Sequence, residues 1–116
     1  MAAPGNLDVH TERAGSALVV SPRGEIDLST VDSLRDAIES GRSPGEALVI
    51  DLRGVAFMDT TGLRLLLALT EGAKTEGFEL RIVRGPRAVQ RVFEVSGLEP
   101  RLPFVDDPAD ELPSGG

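Results

Sequence analysis

The stretch at residues 47–52, Ala-Leu-Val-Ile-Asp-Leu, constrains this chain more than any other feature. It is a continuous apolar run ending in charge, which is the pattern of a buried strand in a parallel sheet. Parallel strands need long crossover connections, and the flanking sequence supplies helices on both sides. Upstream, Val31, Leu34 and Ile38 repeat at helical spacing. Ser29 and Asp32 have the spacing of a capping box before them, and Gly41 stops the pattern. Downstream, a helix is expected over residues 60–75, with Leu63, Leu66 and Leu67 on one face. Leu66 and Leu67 should point at the sheet and Arg64 at water, and Gly77 should end the helix.

The remaining elements follow the same reading. Leu7, Val9 and Thr11 share one face of a short strand. Ala14-Gly15-Ser16 is a turn, and residues 17–22 form a second strand, so the two should make an antiparallel hairpin. Residues 53–58 read as a loop and residues 78–83 as a strand. Pro86 opens a third helix with Val89, Val92 and Phe93 inward, and Gly97-Leu98 caps it. Residues 102–105 suggest a last short strand. The order ββαβαβαβ predicts an α/β sandwich: a mixed sheet of four or five strands, an N-terminal hairpin followed by βαβαβα, with right-handed crossovers and helices packed on it. One domain is expected over residues 7–106, with loose ends at residues 1–6 and 107–116. A chain of 116 residues can bury about two-thirds of its unfolded surface, enough for a core.

Charge and composition remove several function classes. A net charge of −7 disfavours nucleic acid and anionic membrane. Aromatic residues are 3% of the chain, all Phe, which argues against base-stacking platforms. Cysteine is absent and His10 is the one histidine, so thiol chemistry, thiolate metal sites and a histidine-based triad lack their parts. No metal or cofactor is expected: His10 stands alone, and Asp106-Asp107 and Asp110-Glu111 read as solvated tail. No phosphate loop of the G-x-x-x-x-G-K-[ST] or G-x-G-x-x-G type occurs. No signal peptide is legible, and the longest apolar stretch, near Leu63, is too short to span a bilayer. A cytoplasmic protein, monomeric when free, is the expectation.

Two places hold candidate chemistry. Glu25 and Asp27 close the second strand and Asp59 precedes the second helix. In a parallel sheet such loops meet at the carboxyl edge, where α/β folds bind ligands. Solvated or capping carboxylates are the plainer reading. The second place is Asp59-Thr60-Thr61-Gly62-Leu63. Asp59, Thr60 and Thr61 can each cap a helix, and one suffices. Gly62 in the first turn disfavours the helix by roughly 1 kcal/mol against Ala, which suggests a close approach by another group. A hydroxyl here stands at the positive end of a helix, where a phosphate would be stabilised. On spacing alone this is an ordinary helix start.

Asp59-Thr60-Thr61-Gly62-Leu63, followed by Leu65 to Leu69, resembles the D-S-[ST]-G-L signature of STAS domains, and of bacterial anti-sigma factor antagonists in particular. Gly24-Glu25-Ile26-Asp27 resembles that family's G-E-[LIV]-D segment, and Leu48-Val49-Ile50-Asp51-Leu52 its central strand. Gly85-Pro86 through Val92-Phe93 and Ser96-Gly97-Leu98 resemble its third helix and cap. The resemblance implies a non-enzymatic partner switch. The unphosphorylated antagonist binds an anti-sigma factor that is also a serine/threonine kinase, releasing the sigma factor. Phosphorylation of the first hydroxyl after the motif aspartate dissociates the complex, and a PP2C-type phosphatase resets it. Carried over, Thr60 is the phospho-acceptor, and Asp27, Asp59, Thr60, Thr61 and Gly62 form the partner-binding face. The departure is Thr60 itself, where serine is usual: the hydroxyl is kept and a methyl added. The alternative is a STAS regulatory subunit of a bacterial lipid-transport ABC complex, whose D-T-x-G-L motif is also matched. A hydrolase or phosphatase ranks last, for want of a nucleophile and base.

Overall fold

A computed structural model of the chain describes residues 6–107. Strands β1 (Leu7–Ala14) and β2 (Ala17–Ile26) form the expected antiparallel hairpin. Helix α1 (Val31–Gly41), strands β3 (Ala47–Asp51) and β4 (Val55–Met58), helix α2 (Thr60–Glu76), strand β5 (Leu80–Val83) and helix α3 (Arg87–Ser96) follow. A 3-10 turn (Glu99–Arg101) leads into β6 (Phe104–Val105). The sheet order is β1-β2-β3-β5-β6, parallel from β2 onward.

The sheet has six strands rather than four or five. The additional strand is β4, in residues expected as a loop. Pairing of β2 with β3 stops at Val20↔Ile50. The far half of β2 is then met by β4, with Glu25↔Phe57 and Ile26↔Met58 in parallel register. The β4 pairing begins at Gly24↔Val55 and slips in register between Gly24 and Glu25. Gly24 adopts φ 115°, and a Cβ there would lie 2.1 Å from the Asn6 carbonyl oxygen. β2 runs as one strand from Ala17 through Pro22 to Ile26, so residues 17–22 and the Glu25–Asp27 segment read from the sequence belong to one element up to Ile26. β5 is shorter than expected, because the Phe78 backbone N–H is used to close α2 on the Ala73 carbonyl, 3.1 Å.

All three helices lie on one face of the sheet. Leu18, Val20, Leu48, Ile50 and Ile82 pack with Leu34, Leu66, Val89 and Phe93 in one cluster. The alternate residues Ala17, Val19, Ala47, Val49 and Val83 form a smaller cluster on the other face, with no helix residue in it. The right-handed crossovers explain this: the chain advances across the sheet in one direction, so each crossover falls on the same side. In α2 the inward face is Leu63, Leu65 and Leu66, with Leu67 only half-buried. The expected pairing of Leu66 with Leu67 is thus corrected to Leu65 with Leu66, while Arg64 is exposed as expected. The helix rotates because Gly62 must also face inward.

Gly77 (φ 80°) ends α2, and Gly97 (φ 76°) ends α3 with the Leu98 N–H on the Phe93 carbonyl, 3.1 Å. Residues 1–5 and 108–116, expected to be loose, lie outside the described residues. Asn6, placed in the loose N-terminus by the sequence, is tied instead: its carbonyl accepts from the Glu25 N–H, 2.9 Å. No described helix is long and apolar enough to cross a membrane, and no cluster of metal-binding side chains occurs among the described residues.

Candidate functional site

The carboxyl ends of β2 and β4 lie side by side, joined by the Asp59 N–H donating to the Ile26 carbonyl, 3.1 Å. This contact brings Asp27 and Asp59 to one edge of the sheet, as the sequence suggested for parallel strands. Each then starts a helix, and the two starts are built differently.

The first is closed by its own polar groups. Thr30, not Ser29, sits at the cap position of α1. Its side chain makes no capping bond forward into the helix. It is buried and turned back: its hydroxyl donates to the Glu25 carbonyl, 2.8 Å, and accepts from the Asp27 N–H, 2.9 Å. One Asp27 carboxylate oxygen accepts from the Ser29 hydroxyl, 2.7 Å, and from the Ser29 N–H, 2.9 Å. The Ser29 hydroxyl is the main reason the Asp27 carboxyl is held below its ordinary value. The Ser29 N–H and Thr30 add to it and together outweigh desolvation. The expected capping box of Ser29 with Asp32 does not form, because Asp27 has already taken Ser29. Asp32 pairs instead with Arg35. Thr30 is the residue that sequence reasoning missed. Its only signal was a second hydroxyl beside Ser29, and propensity cannot rank the two.

The second start leaves one hydroxyl free. Asp59 caps α2: its carboxylate accepts from the Thr61 N–H, 2.8 Å, and also from the Thr61 hydroxyl. Both Asp59 and Thr61 are therefore committed to the helix start. Thr60 is exposed, and among the described residues its hydroxyl makes no hydrogen bond. Gly62 explains itself sterically. A Cβ there would lie 2.5 Å from Met58 Cγ and 2.9 Å from Ile26 Cγ2, so only glycine lets α2 press onto the ends of β2 and β4. Gly62 is buried, and its part in the site is to set the position of Thr60 and Thr61.

The edge as a whole offers exposed oxygens at the amino end of a 17-residue helix, without a histidine, thiol or metal cluster beside them among the described residues. The Thr61, Gly62 and Leu63 N–H groups are bonded to Asp59, and the positive end of the α2 dipole favours a negative charge placed here. His10 is on exposed β1, beside Glu12 and outside this edge.

The sequence matches the family described as "Mlab, STAS domain" over residues 9–105. It is 28% identical over 109 residues to the anti-sigma F factor antagonist of Paenibacillus polymyxa, covering 92% of this chain and 93% of that one. It is 30% identical over 95 residues to the anti-sigma-B factor antagonist of Staphylococcus aureus, covering 81% and 88%. Its fold is similar to the crystal structure of an anti-sigma factor antagonist from Mycobacterium paratuberculosis. The TM-score is 0.82 and the identity 32%, over 95% of this chain and 94% of that one. The chain belongs to the STAS domain family, among the anti-sigma factor antagonists.

Proposed function

We propose that this protein is an anti-sigma factor antagonist that works as a phosphorylation-controlled partner switch, with Thr60 as the acceptor. The observation that carries the reading is the contrast within the motif: Asp59 and Thr61 are bonded to each other, while the Thr60 hydroxyl is exposed and free. A kinase can reach such a hydroxyl without undoing the helix cap. The partner is an anti-sigma factor with serine/threonine kinase activity, which supplies the ATP. Asp27, Asp59, Thr60 and Thr61 form the face it meets, with Gly62 beneath. A PP2C-type phosphatase returns the protein to the binding form. The chain itself is not an enzyme and acts in the cytoplasm, as a monomer when free.

The physics of the switch follows from the helix end. Phosphorylation adds nearly two negative charges at neutral pH. The α2 amino terminus tolerates them, so the fold survives. An interface fitted to a neutral hydroxyl does not, because a dianion beside the Asp59 carboxylate meets it. Such like-charge contact costs several kcal/mol, and each 1.4 or so is a factor of about ten in affinity. The alternative, a STAS subunit of a lipid-transport ABC complex, is not favoured: the relatives matched nearly end to end are named anti-sigma factor antagonists.

The test is mass spectrometry after incubation with each candidate anti-sigma kinase and ATP. Phosphate on Thr60, with Thr60→Ala binding constitutively and Thr60→Glu binding weakly while folded, is the expected result. Label on Thr61 overturns the assignment. No label, with tight binding to an ABC ATPase, overturns the function.

A further inference from the structure

Among the described residues only three large apolar side chains stand exposed: Leu28 at 77%, Val95 at 74% and Phe57 at 50%. Leu28 and Phe57 both border the Asp59–Thr60 edge. Leu28 is at the tip of the turn between β2 and α1, closed by the Thr30 N–H on the Asp27 carbonyl, 3.1 Å. Turn tips ordinarily carry polar residues. Here Asp27, Ser29 and Thr30 lock the turn through side-chain hydrogen bonds, so the leucine is presented to solvent on a fixed frame. Leu28 also shares a shallow hollow of about 300 Å³ with Val31, Thr61, Arg64, Leu65 and Ala68. Phe57 is two residues before Asp59. In register it sits beside half-buried Glu25, while Met58 sits beside buried Ile26 of the helix-side core, so it points to the helix-free side of the sheet. It is half exposed, whereas Phe78 and Phe93 are buried. Neither Leu28 nor Phe57 lies in the buried core, so packing does not call for their apolar character.

We propose that Leu28 and Phe57 are the two apolar anchors by which the anti-sigma factor grips this edge, one on each side of Thr60. The proposal rests on the function given above and names its specificity-determining contacts. Exposed apolar side chains on a rigid frame give binding energy at low entropic cost, and such anchors dominate interfaces. The charge at the hollow fixes the partner's chemistry further. Asp32 and Arg35 also line the hollow and pair with each other, which leaves exposed Arg64 as its one charge without an ion-pair partner among the described residues. Arg64 calls for an apolar partner side chain bordered by a carboxylate.

The experiment measures binding of the full chain to the purified anti-sigma kinase that phosphorylates it, by calorimetry and stopped flow. Leu28→Ala and Phe57→Ala should each weaken binding about tenfold or more with unchanged melting curves. Val95→Ala, an equally exposed residue on α3, should leave affinity unchanged. Arg64→Glu should slow association and remove part of its salt dependence. Neutral Leu28 and Phe57 variants, in a protein that binds and is switched by Thr60→Glu, overturn the anchors alone. Equal losses at Val95 overturn the assignment of the face, and faster association of Arg64→Glu overturns the partner's charge. Failure of the wild-type chain to bind any anti-sigma kinase overturns the function and the anchors with it. A wild-type dimer in sedimentation that Leu28→Ala or Phe57→Ala dissociates makes the face a self-interface and overturns the proposal.

Discussion

The starts of α1 and α2 stand on neighbouring strands, and each offers a threonine at the same edge of the sheet. Thr30 is buried and has both hydrogen-bonding directions filled by backbone. Thr60 is exposed and unbonded, because Thr61 has taken the Asp59 carboxylate. One residue type thus serves as a structural pin at one helix start and as an available hydroxyl at the other. The difference comes from the chain path rather than the side chain. The β2–α1 turn folds back over its own backbone, while β4 runs straight into α2.

The largest effect expected on this pair comes from the core beneath it. Leu66→Ala should cost about 2–5 kcal/mol in denaturant melts, since Leu66 is fully buried. Half-buried Leu67→Ala should cost clearly less, and equal costs would contradict the helix phase seen here.

Next comes the pin itself. Thr30→Val keeps the shape and removes the hydroxyl. It leaves the Asp27 N–H and Glu25 carbonyl without that partner, at about 1–3 kcal/mol. Thr60→Ala is the matching test on the other side and should change stability by no more than about 0.5 kcal/mol. Equal losses from these two variants would break the comparison. Thr61→Ala lies between them, at about 1 kcal/mol, because it removes one of the two bonds to Asp59.

The smallest effect is acid sensitivity at the first start. The folded Asp27 carboxyl lies below its ordinary value of 3.8, chiefly through Ser29. Its contribution is therefore complete above that value and is lost as pH falls through the lower folded one. Melts taken from about pH 5 down to about pH 2 should show Asp27→Asn with a flatter decline than wild type. An identical slope would mean that the Ser29 bonds do not favour the charged form.

Much of this was legible in the chain because the signals are local and periodic. The run at residues 47–52, the helical spacing of Val31, Leu34 and Ile38, and Gly77 and Gly97 as stops each depend on nearby residues alone. Strand β4 was not legible: Val-Ala-Phe-Met has four residues, and its pairing partner lies some 30 positions earlier. The phase of α2 was misread by one position. Three leucines in a row, Leu65 to Leu67, give no preference until Gly62 is seen pressed on Met58 and Ile26. The motif residues Asp59 to Gly62 were legible as a group. Their division of labour was not, because Asp59, Thr60 and Thr61 are all competent caps.

The sequence by itself determined the alternation of strands and helices, the parallel sheet and the family, since periodicity and motif spacing are properties of the chain. Tertiary structure alone decided that Thr30 is buried and Thr60 free, that Gly62 is the contact point of helix and sheet, and that Leu28 and Phe57 stay in solvent. Each of those depends on which distant backbone arrives alongside: Ile26 beside Asp59, and Glu25 beside Thr30 and Phe57.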